Sequence, residues 1–297
     1  MFETILVALE SSALDDALIV QVLRLARRED VHLALIHVVH PSEGSEYGGE
    51  PDQPLQLRTS AAQRRLEATA ERLKALGVST SSRVVFGDPA ERILEVAEDL
   101  EASAIALATH GRSGPRRWFE GSVTESVLRW TKVPVLVINP SHARPKEKEA
   151  TGFRRILVPL DGSERAQRIL PSVRRFALLY DAQVTLLRVG IYPAVHFHEI
   201  SAGAGTAPFP PLRETLTDSL AVSARRLAGV RSVLTRVVFA DTASVGILET
   251  IGTGDYDLVA LGTHGRTGLD RLLFGSTAEA AARDCPIPLL VYRDADA

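Results

Sequence analysis

A group of glycine and hydroxyl residues near the end of the sequence has the composition of an anion-binding loop. Two residues separate Gly262 from Gly265, and Gly275, Ser276 and Thr277 follow after nine more residues. Glycine lets the backbone turn and approach a ligand without a Cβ in the way. Free amides at the start of a helix favour phosphate oxygens. The spacing therefore predicts that phosphates bind between the two glycine groups.

An acidic residue and an arginine extend this chemistry. Asp161 follows the apolar run ILVPL, and an ionised carboxylate offers only hydrogen-bond acceptors. It can therefore accept from an exocyclic amine or from a sugar hydroxyl, which mildly favours adenine over guanine, because the 6-position of adenine donates. Arg266 lies among the predicted phosphate-binding residues in the sequence, so its guanidinium group is a further candidate to bind phosphate. A solvated surface arginine is the alternative interpretation of the same residue.

The same blocks occur twice in the same order, which indicates a duplicated domain. The matched pairs are Phe2–Ser12 with Phe153–Ser163, Arg83–Glu95 with Arg236–Glu249, Leu107–Val123 with Leu261–Thr277, and Val133–Val137 with Ile287–Val291. Between them, residues 141–152 carry mixed charge and no apolar periodicity, as is typical of a linker. We therefore predict a first domain over residues 1–140 and a second over residues 153–297.

Short β-branched apolar runs alternate with helical patterns inside each domain. In the first domain, helical spacing covers Asp15–Arg28 and Ser60–Leu76. Strands joined through helices are parallel, and right-handed crossovers place the helices on both faces of the sheet. We therefore predict two doubly wound, five-stranded α/β domains of Rossmann-like type. The predicted strands of the first domain are Thr4–Leu9, Val31–Val39, Thr80–Phe86, Ala104–Thr109 and Val133–Ile138.

Together, ILVPLDGS, VALGTHGRTGLDRLLFGS and IPLLV resemble the universal stress protein domain in its ATP-binding form. The whole chain is similar to two such domains in tandem. The resemblance implies the strand order 3-2-1-4-5, ATP with Mg²⁺ as ligand, adenine held by Asp161 and the backbone of Val189, and phosphates held by the glycine loop. The nucleotide-binding set expected in the second domain is Pro159, Asp161, Val189, Gly262, Gly265, Arg266, Gly275, Ser276 and Thr277.

The first domain departs from this pattern at Ala8, Glu10 and Ala108. Glu10 is longer than aspartate by one carbon–carbon bond, about 1.5 Å, and would push its carboxylate into the adenine site. Ala108 adds a Cβ where Gly262 has none, with a further cost if Gly262 has positive φ. We therefore expect weaker or absent nucleotide in the first domain. Its corresponding residues are Glu10, Val38, Gly111, Gly121, Ser122 and Val123.

No catalytic or metal-binding group is predicted. His110 and His264 lack a nucleophile and a carboxylate in the arrangement that nucleophilic catalysis needs. The P-loop pattern is absent, and Asp270 is interpreted as an exposed residue rather than a metal ligand. We therefore expect a nucleotide-responsive stress regulator that binds without efficient turnover. A slow ATPase or an adenylyl or phosphoryl transferase, and a nucleotide-free interaction scaffold, are the alternatives.

Composition limits the partners and the compartment. With 34 basic and 37 acidic residues, the net charge of −3 offers no field to attract a nucleic acid backbone. The single cysteine suits a reducing compartment, and the apolar runs are too short to span a membrane. We expect a cytoplasmic protein with an unidentified client. The resemblance also implies that Val133–Ile138 pairs with Leu289–Tyr292 as an internal pseudo-dimer, and a homodimer of such chains is a further hypothesis.

Overall fold

The computed structural model describes residues 2–10, 15–26, 31–40, 55–109, 123–139, 152–191, 210–262 and 284–293. The chain divides into two compact units, Met1–Gly152 and Phe153–Ala297, called unit one and unit two below. Both units build a five-stranded parallel sheet with helices in the connections. Within the described segments, no helix combines the length and the hydropathy that crossing a membrane requires.

Unit one has the strand order β3-β2-β1-β4-β5, and its neighbouring strands pair in parallel. This confirms the predicted doubly wound sheet and its strand order. Its elements are β1 (Thr4–Ala8), α1 (Asp15–Ala26), β2 (His32–Val39), α2 (Leu55–Ala75), β3 (Ser79–Phe86), α3 (Pro89–Asp99), β4 (Ala104–Ala108), α4 (Val123–Trp130) and β5 (Val135–Ile138).

Unit two repeats this topology with the order β10-β9-β6-β7-β8, again with parallel neighbours. Its elements are β6 (Arg155–Pro159), α5 (Glu164–Gln167), α6 (Leu170–Tyr180), β7 (Gln183–Ile191), α7 (Pro210–Arg225), β8 (Ser232–Ala240), α8 (Ala243–Thr253), β9 (Leu258–Gly262) and β10 (Leu289–Tyr292).

The central strands are apolar because helices cover both faces of each sheet. Ile5, Leu6 and Val7 of β1 are completely buried, and Ile156–Val158 of β6 are buried to the same degree. Burying an aliphatic side chain of this size contributes about 1.5–3 kcal/mol. In unit two, the ring of Phe176 on α6 lies 4.5 Å from that of Tyr180, centroid to centroid.

The helix α2 begins earlier than the apolar spacing predicts, at Leu55 rather than Ser60. Leu55 and Leu57 are exposed, so the first turn carries no buried apolar position for a periodicity to reveal. The buried positions begin at Ala62. The helical hydrogen-bonding pattern extends through this extra turn. The Thr59 hydroxyl also donates to the Leu55 carbonyl at 2.8 Å.

At the amino edge of each sheet a polar side chain fixes the entry of the first strand. In unit two, the Asp257 carboxylate accepts from the backbone N–H of Arg154 at 2.9 Å and of Arg155 at 3.0 Å. In unit one, Ser103 has the same role, because its Oγ accepts from the backbone N–H of Glu3 at 2.9 Å. The first strand of each sheet is therefore held at the end opposite to the candidate site.

Candidate functional site

The candidate site of unit two lies at the carboxyl edge of its sheet, where the strand order reverses. Strand β6 pairs with β7 on one side and with β9 on the other, so the chain leaves the two central strands in opposite directions. Such a point opens a crevice outside the strand ends, and ligands of doubly wound sheets bind there. Asp161 follows β6, and Gly262 is the last residue of β9. The topology thus brings the two predicted halves of the site together.

The carboxylate of Asp161 is held in one orientation by its own loop. Its Oδ1 atom accepts from the backbone N–H of Ser163 at 2.9 Å and from the Ser163 hydroxyl at 2.6 Å. The same hydroxyl accepts from the N–H of Ala166 at 3.0 Å and caps the short helix α5. Aspartate favours this turn, in which its carboxylate accepts a hydrogen bond from the backbone N–H two residues later. The second oxygen, Oδ2, is buried and has no hydrogen-bond partner in the part of the chain that the structure describes.

A buried arginine supports the Asp161 loop. The Arg188 side chain is 7% exposed, and its Nη1 donates to the Leu160 carbonyl at 3.1 Å. Gly162 has φ of +81°, and a Cβ at this position would lie 2.5 Å from Arg188 Nη1. Both the left-handed backbone and the arginine therefore require glycine between Asp161 and Ser163.

The backbone of Val189 faces the same crevice. In a parallel sheet, successive residues direct their N–H and C=O groups to opposite neighbouring strands. Leu187 faces β6, because its carbonyl accepts from the N–H of Leu160 at 2.9 Å. Val189, two residues on, faces the same side, but β6 has already ended at Pro159. Its N–H and C=O groups therefore point past the end of β6, on the side of the crevice.

A close helix contact fixes the end of β7. Gly246 of α8 lies against Val189, so a Cβ at position 246 would stand 2.7 Å from Val189 Cγ1. On the neighbouring residue, a Cβ on Gly190 would stand 2.5 Å from the Phe239 ring. Sequence reasoning did not identify Gly246 or Ser163 as supporting residues. Their signals were an isolated glycine in a helical pattern and the Asp-Gly-Ser turn.

The equivalent edge of unit one has different chemistry. Glu10 is exposed, and its backbone N–H donates to Asp15 Oδ1 at 3.0 Å. His37 replaces the supporting arginine, and its Nδ1 lies 2.8 Å from the Leu9 carbonyl, which can only accept. Arg92 occupies the position that corresponds to Gly246. Val38 is 8% exposed, whereas Val189 is half-buried.

The glycine-to-alanine difference between the units concerns space rather than backbone strain. Gly262 is a strand residue of β9, paired with Tyr292, and is not among the described glycines with positive φ. Ala108 ends β4 in the same way. The expected penalty for a left-handed alanine therefore does not apply, and Ala108 differs by its Cβ alone.

Part of the predicted set lies outside the described residues. Of the expected residues, Pro159, Asp161, Val189 and Gly262 lie at the carboxyl edge of unit two. In unit one, Glu10 and Val38 lie at the corresponding edge, and Val123 begins α4. The predicted residues outside the described segments are Gly265, Arg266, Gly275, Ser276, Thr277, Gly111, Gly121 and Ser122, together with His110, His264 and Asp270.

Tyr292 is the buried polar residue beside Gly262. Burial raises the pKa of its phenol, an effect that the positive charge of Arg175 partly offsets. Its hydroxyl is buried and finds no hydrogen-bond partner among the residues that the structure describes. In the segments that the structure describes, no group of three or more histidine, cysteine or acidic residues could hold a metal ion.

Comparison with known proteins agrees with this architecture. The model of the universal stress protein family matches residues 1–139 and again residues 152–293. A universal stress protein of Mycobacterium tuberculosis is 27% identical over 278 residues, which cover 90% of this chain and 89% of the relative. A universal stress protein of Methanocaldococcus jannaschii is 32% identical over 80 residues, or 27% of this chain and 49% of the relative.

Solved structures share the fold over the full length. A universal stress protein from Archaeoglobus fulgidus superposes with a TM-score of 0.70 at 19% identity and covers 99% of both chains. A Pseudomonas aeruginosa structure has a TM-score of 0.66 at 18% identity, covering 99% of this chain and 94% of its own. Two matches to the family model, a relative of nearly the same length and the duplicated sheet lead to one assignment: the chain belongs to the universal stress protein family.

Proposed function

We propose that unit two binds ATP with Mg²⁺ at its carboxyl edge and acts as a nucleotide-responsive regulator. The observation that carries the proposal is the Asp161 carboxylate, with one oxygen engaged by Ser163 and the other buried without a hydrogen-bond partner among the described residues. An unsatisfied buried acceptor costs about 1–3 kcal/mol. A ligand that donates a hydrogen bond to Oδ2 removes this cost, so the conformation of the loop favours binding of such a ligand.

The groups at this edge favour adenine over guanine. The C=O group of Val189 accepts from an exocyclic amine, and its N–H donates to a ring nitrogen. Adenine offers that donor and that acceptor side by side on one edge, whereas guanine presents a carbonyl at its 6-position. Asp161 then accepts from the 6-amine or from a ribose hydroxyl, the two kinds of donor that ATP provides. GTP should bind more weakly because its 6-oxygen meets acceptors.

The phosphates are assigned to the glycine loop that follows Gly262. Gly262 ends β9 at the edge of the sheet where Asp161 lies. Gly265, Gly275, Ser276 and Thr277 supply the amides and hydroxyls that the sequence predicts for phosphate binding. Mg²⁺ keeps several waters and binds substrate phosphates with few protein ligands, so it needs no acidic cluster.

Unit one is proposed to bind nucleotide more weakly. Its Glu10 side chain is exposed, so it does not supply the buried acceptor that Asp161 supplies in unit two. The Cβ of Ala108 and the side chain of Arg92 both stand where unit two has glycine. These differences reduce the space for a base and its phosphates. The chain then has one strong site and one weak site, which suits a sensor with a single nucleotide-dependent state.

Regulation follows from binding without efficient turnover. A ligand at a concentration of 100 Kd stabilises the native state by about 2.7 kcal/mol. That energy acts on the loops at the carboxyl edge and on the surface that they present to a partner. Bound nucleotide therefore stabilises this surface, and the affinity of a client protein for the surface then depends on the nucleotide concentration.

Thermal unfolding with and without ATP and Mg²⁺ tests the proposal. Wild type should show a higher midpoint with ATP and a smaller shift with GTP. Asp161→Ala should lose the shift, whereas Glu10→Ala, the matched change in unit one, should keep it. Equal midpoints with and without ATP, together with no heat in a titration, would contradict the proposal.

A further inference from the structure

The outer face of α6 in unit two forms a basic groove with an apolar floor. Pro171, Arg174, Arg175 and Leu178 recur on one side of the helix, and Arg226 follows the end of the neighbouring helix α7. These five residues, called the arginine groove below, line a cavity of about 460 Å³. Among the described residues that line the groove, three are arginines and none is acidic.

The three guanidinium groups form no ion pair within the described segments. Among the described residues, no carboxylate forms an ion pair with Arg174, Arg175 or Arg226, although ion pairs occur elsewhere in unit two, such as Arg231 with Asp181 at 2.8 Å. The Nε of Arg174 donates to the Ala228 carbonyl at 2.5 Å, which holds its side chain at the mouth of the groove. Three neighbouring cations on a chain of net charge −3 create a local positive field.

Apolar side chains are exposed beside these charges. Leu178 is 45% exposed in the groove, and Val222, one helical turn before Arg226, is 54% exposed. Single exposed apolar residues are ordinary on a protein surface. Here they alternate with arginines, and arginine is enriched at protein interfaces while it pairs well with carboxylates.

The fold itself does not require this surface, as unit one shows. The repeat places Leu23 and Arg24 of α1 at the positions of Arg174 and Arg175. Arg24 is 3% exposed, and its Nε and Nη2 donate to the Gly152 carbonyl at 3.2 and 3.0 Å. The same position thus carries a buried structural arginine in one unit and an exposed arginine in the other.

We propose that the arginine groove is a docking surface for an acidic segment of a partner protein that also carries apolar side chains. From Pro171 to Leu178 the helix rises about 10 Å. A polypeptide can place carboxylates against all three arginines over this length and an apolar side chain on Leu178. A single small anion would meet one end of the groove and leave Leu178 exposed.

The end of the groove around Leu178 is separate from the nucleotide site, whereas the positive charge of Arg175 acts on the phenol of Tyr292, the strand partner of Gly262. The helix α6 starts near the carboxyl edge of the sheet and ends before β7 begins at the amino edge. Leu178 and Arg226 therefore lie at the ends of α6 and α7 that are remote from Asp161. The proposal stands whether or not unit two binds ATP.

Fluorescence anisotropy with a labelled peptide of Glu-Glu-Leu repeats tests the proposal on the full chain. Wild type should bind it with an affinity that falls as salt rises, because exposed ion pairs are screened. Arg174→Glu with Arg175→Glu should weaken binding by at least about tenfold. Leu178→Ser should weaken it by roughly three- to tenfold. Arg64→Glu with Arg65→Glu, the control on α2 of unit one, should leave it unchanged.

Two further probes separate the possible occupants. A peptide of Glu-Glu-Ser repeats should bind more weakly than the leucine peptide, and tripolyphosphate should compete poorly. Equal binding of the two peptides, or displacement by tripolyphosphate at equal concentration, would overturn the proposal, because the groove would then recognise charge alone. Unchanged binding by the groove variants would also overturn it, with circular dichroism to confirm that they fold. A dimer in light scattering that Arg174→Glu with Arg175→Glu disrupts would overturn it in favour of a second copy.

Discussion

A Cβ added at Gly246 should destabilise unit two and weaken ATP binding at the same time. In Gly246→Ala, the new atom would stand 2.7 Å from Val189 Cγ1, 3.0 Å from Val189 Cγ2 and 3.2 Å from the Ala240 Cβ. Valine is stiff about χ1, so its methyl groups cannot rotate away without cost. Either α8 or the end of β7 must then move by several tenths of an ångström.

The expected change in the free energy of unfolding of Gly246→Ala is the difference between two effects. Overpacking of this kind costs about 1–3 kcal/mol. Replacing glycine by alanine inside a helix contributes about 1 kcal/mol in the favourable direction. We therefore expect Gly246→Ala to lower the free energy of unfolding by up to about 2 kcal/mol. Because Val189 faces the proposed base site, we also expect weaker ATP binding by that unit.

The same helix provides the control. Gly252 is exposed, and a Cβ there meets nothing within 4 Å. Gly252→Ala should therefore raise the free energy of unfolding by about 0.5–1 kcal/mol and leave ATP binding unchanged. Urea unfolding and titration calorimetry on both variants measure the two effects. The reasoning is refuted if Gly246→Ala is as stable as Gly252→Ala, or if it binds ATP with the affinity of wild type.

Other predictions concern the two ends of the unit-two sheet. Asp257→Ala should lower the free energy of unfolding by about 2 kcal/mol, because the amides of Arg154 and Arg155 lose a charged acceptor. Urea unfolding measures this change. An unchanged free energy of unfolding would show that the Asp257 carboxylate does not stabilise the start of β6. Tyr292→Phe should raise the free energy of unfolding by about 1 kcal/mol at neutral pH, since the buried hydroxyl has no partner within the described segments. Burial raises the pKa of Tyr292, so the unfolded chain loses this proton first, and wild type should lose stability as the pH rises above about 10. The variant should lose less over that range, and parallel pH profiles would show that Tyr292 is not the group responsible.

The sequence predicts the architecture well because each central strand can be recognised from a short segment of the sequence. Runs such as Ile5–Val7 and Ile156–Val158 are apolar on both faces, which only a covered parallel sheet requires. The strand order and the tandem arrangement then follow from the repeat and from the family resemblance. The first turn of α2 was missed, since Leu55 and Leu57 are exposed and leave no periodic signal.

The site is predictable as far as its chemistry is encoded in a short segment. Asp161 was identified from Asp-Gly-Ser, because the turn and its acceptor lie within three residues. The support from Arg188 and the contact between Gly246 and Val189 depend on how β7 packs against its neighbours, which no local pattern reports. A similar limit applies to position 175, because its counterpart Arg24 is buried and Arg175 is exposed.

The most direct test of the central proposal is the number of ATP molecules bound per chain, measured by native mass spectrometry with Mg²⁺ present. We expect one tightly bound ATP in wild type and in Glu10→Ala, and none in Asp161→Ala. An Asp161→Ala protein that still folds and retains its nucleotide, or a wild-type protein that binds none, would contradict the assignment of the site to unit two.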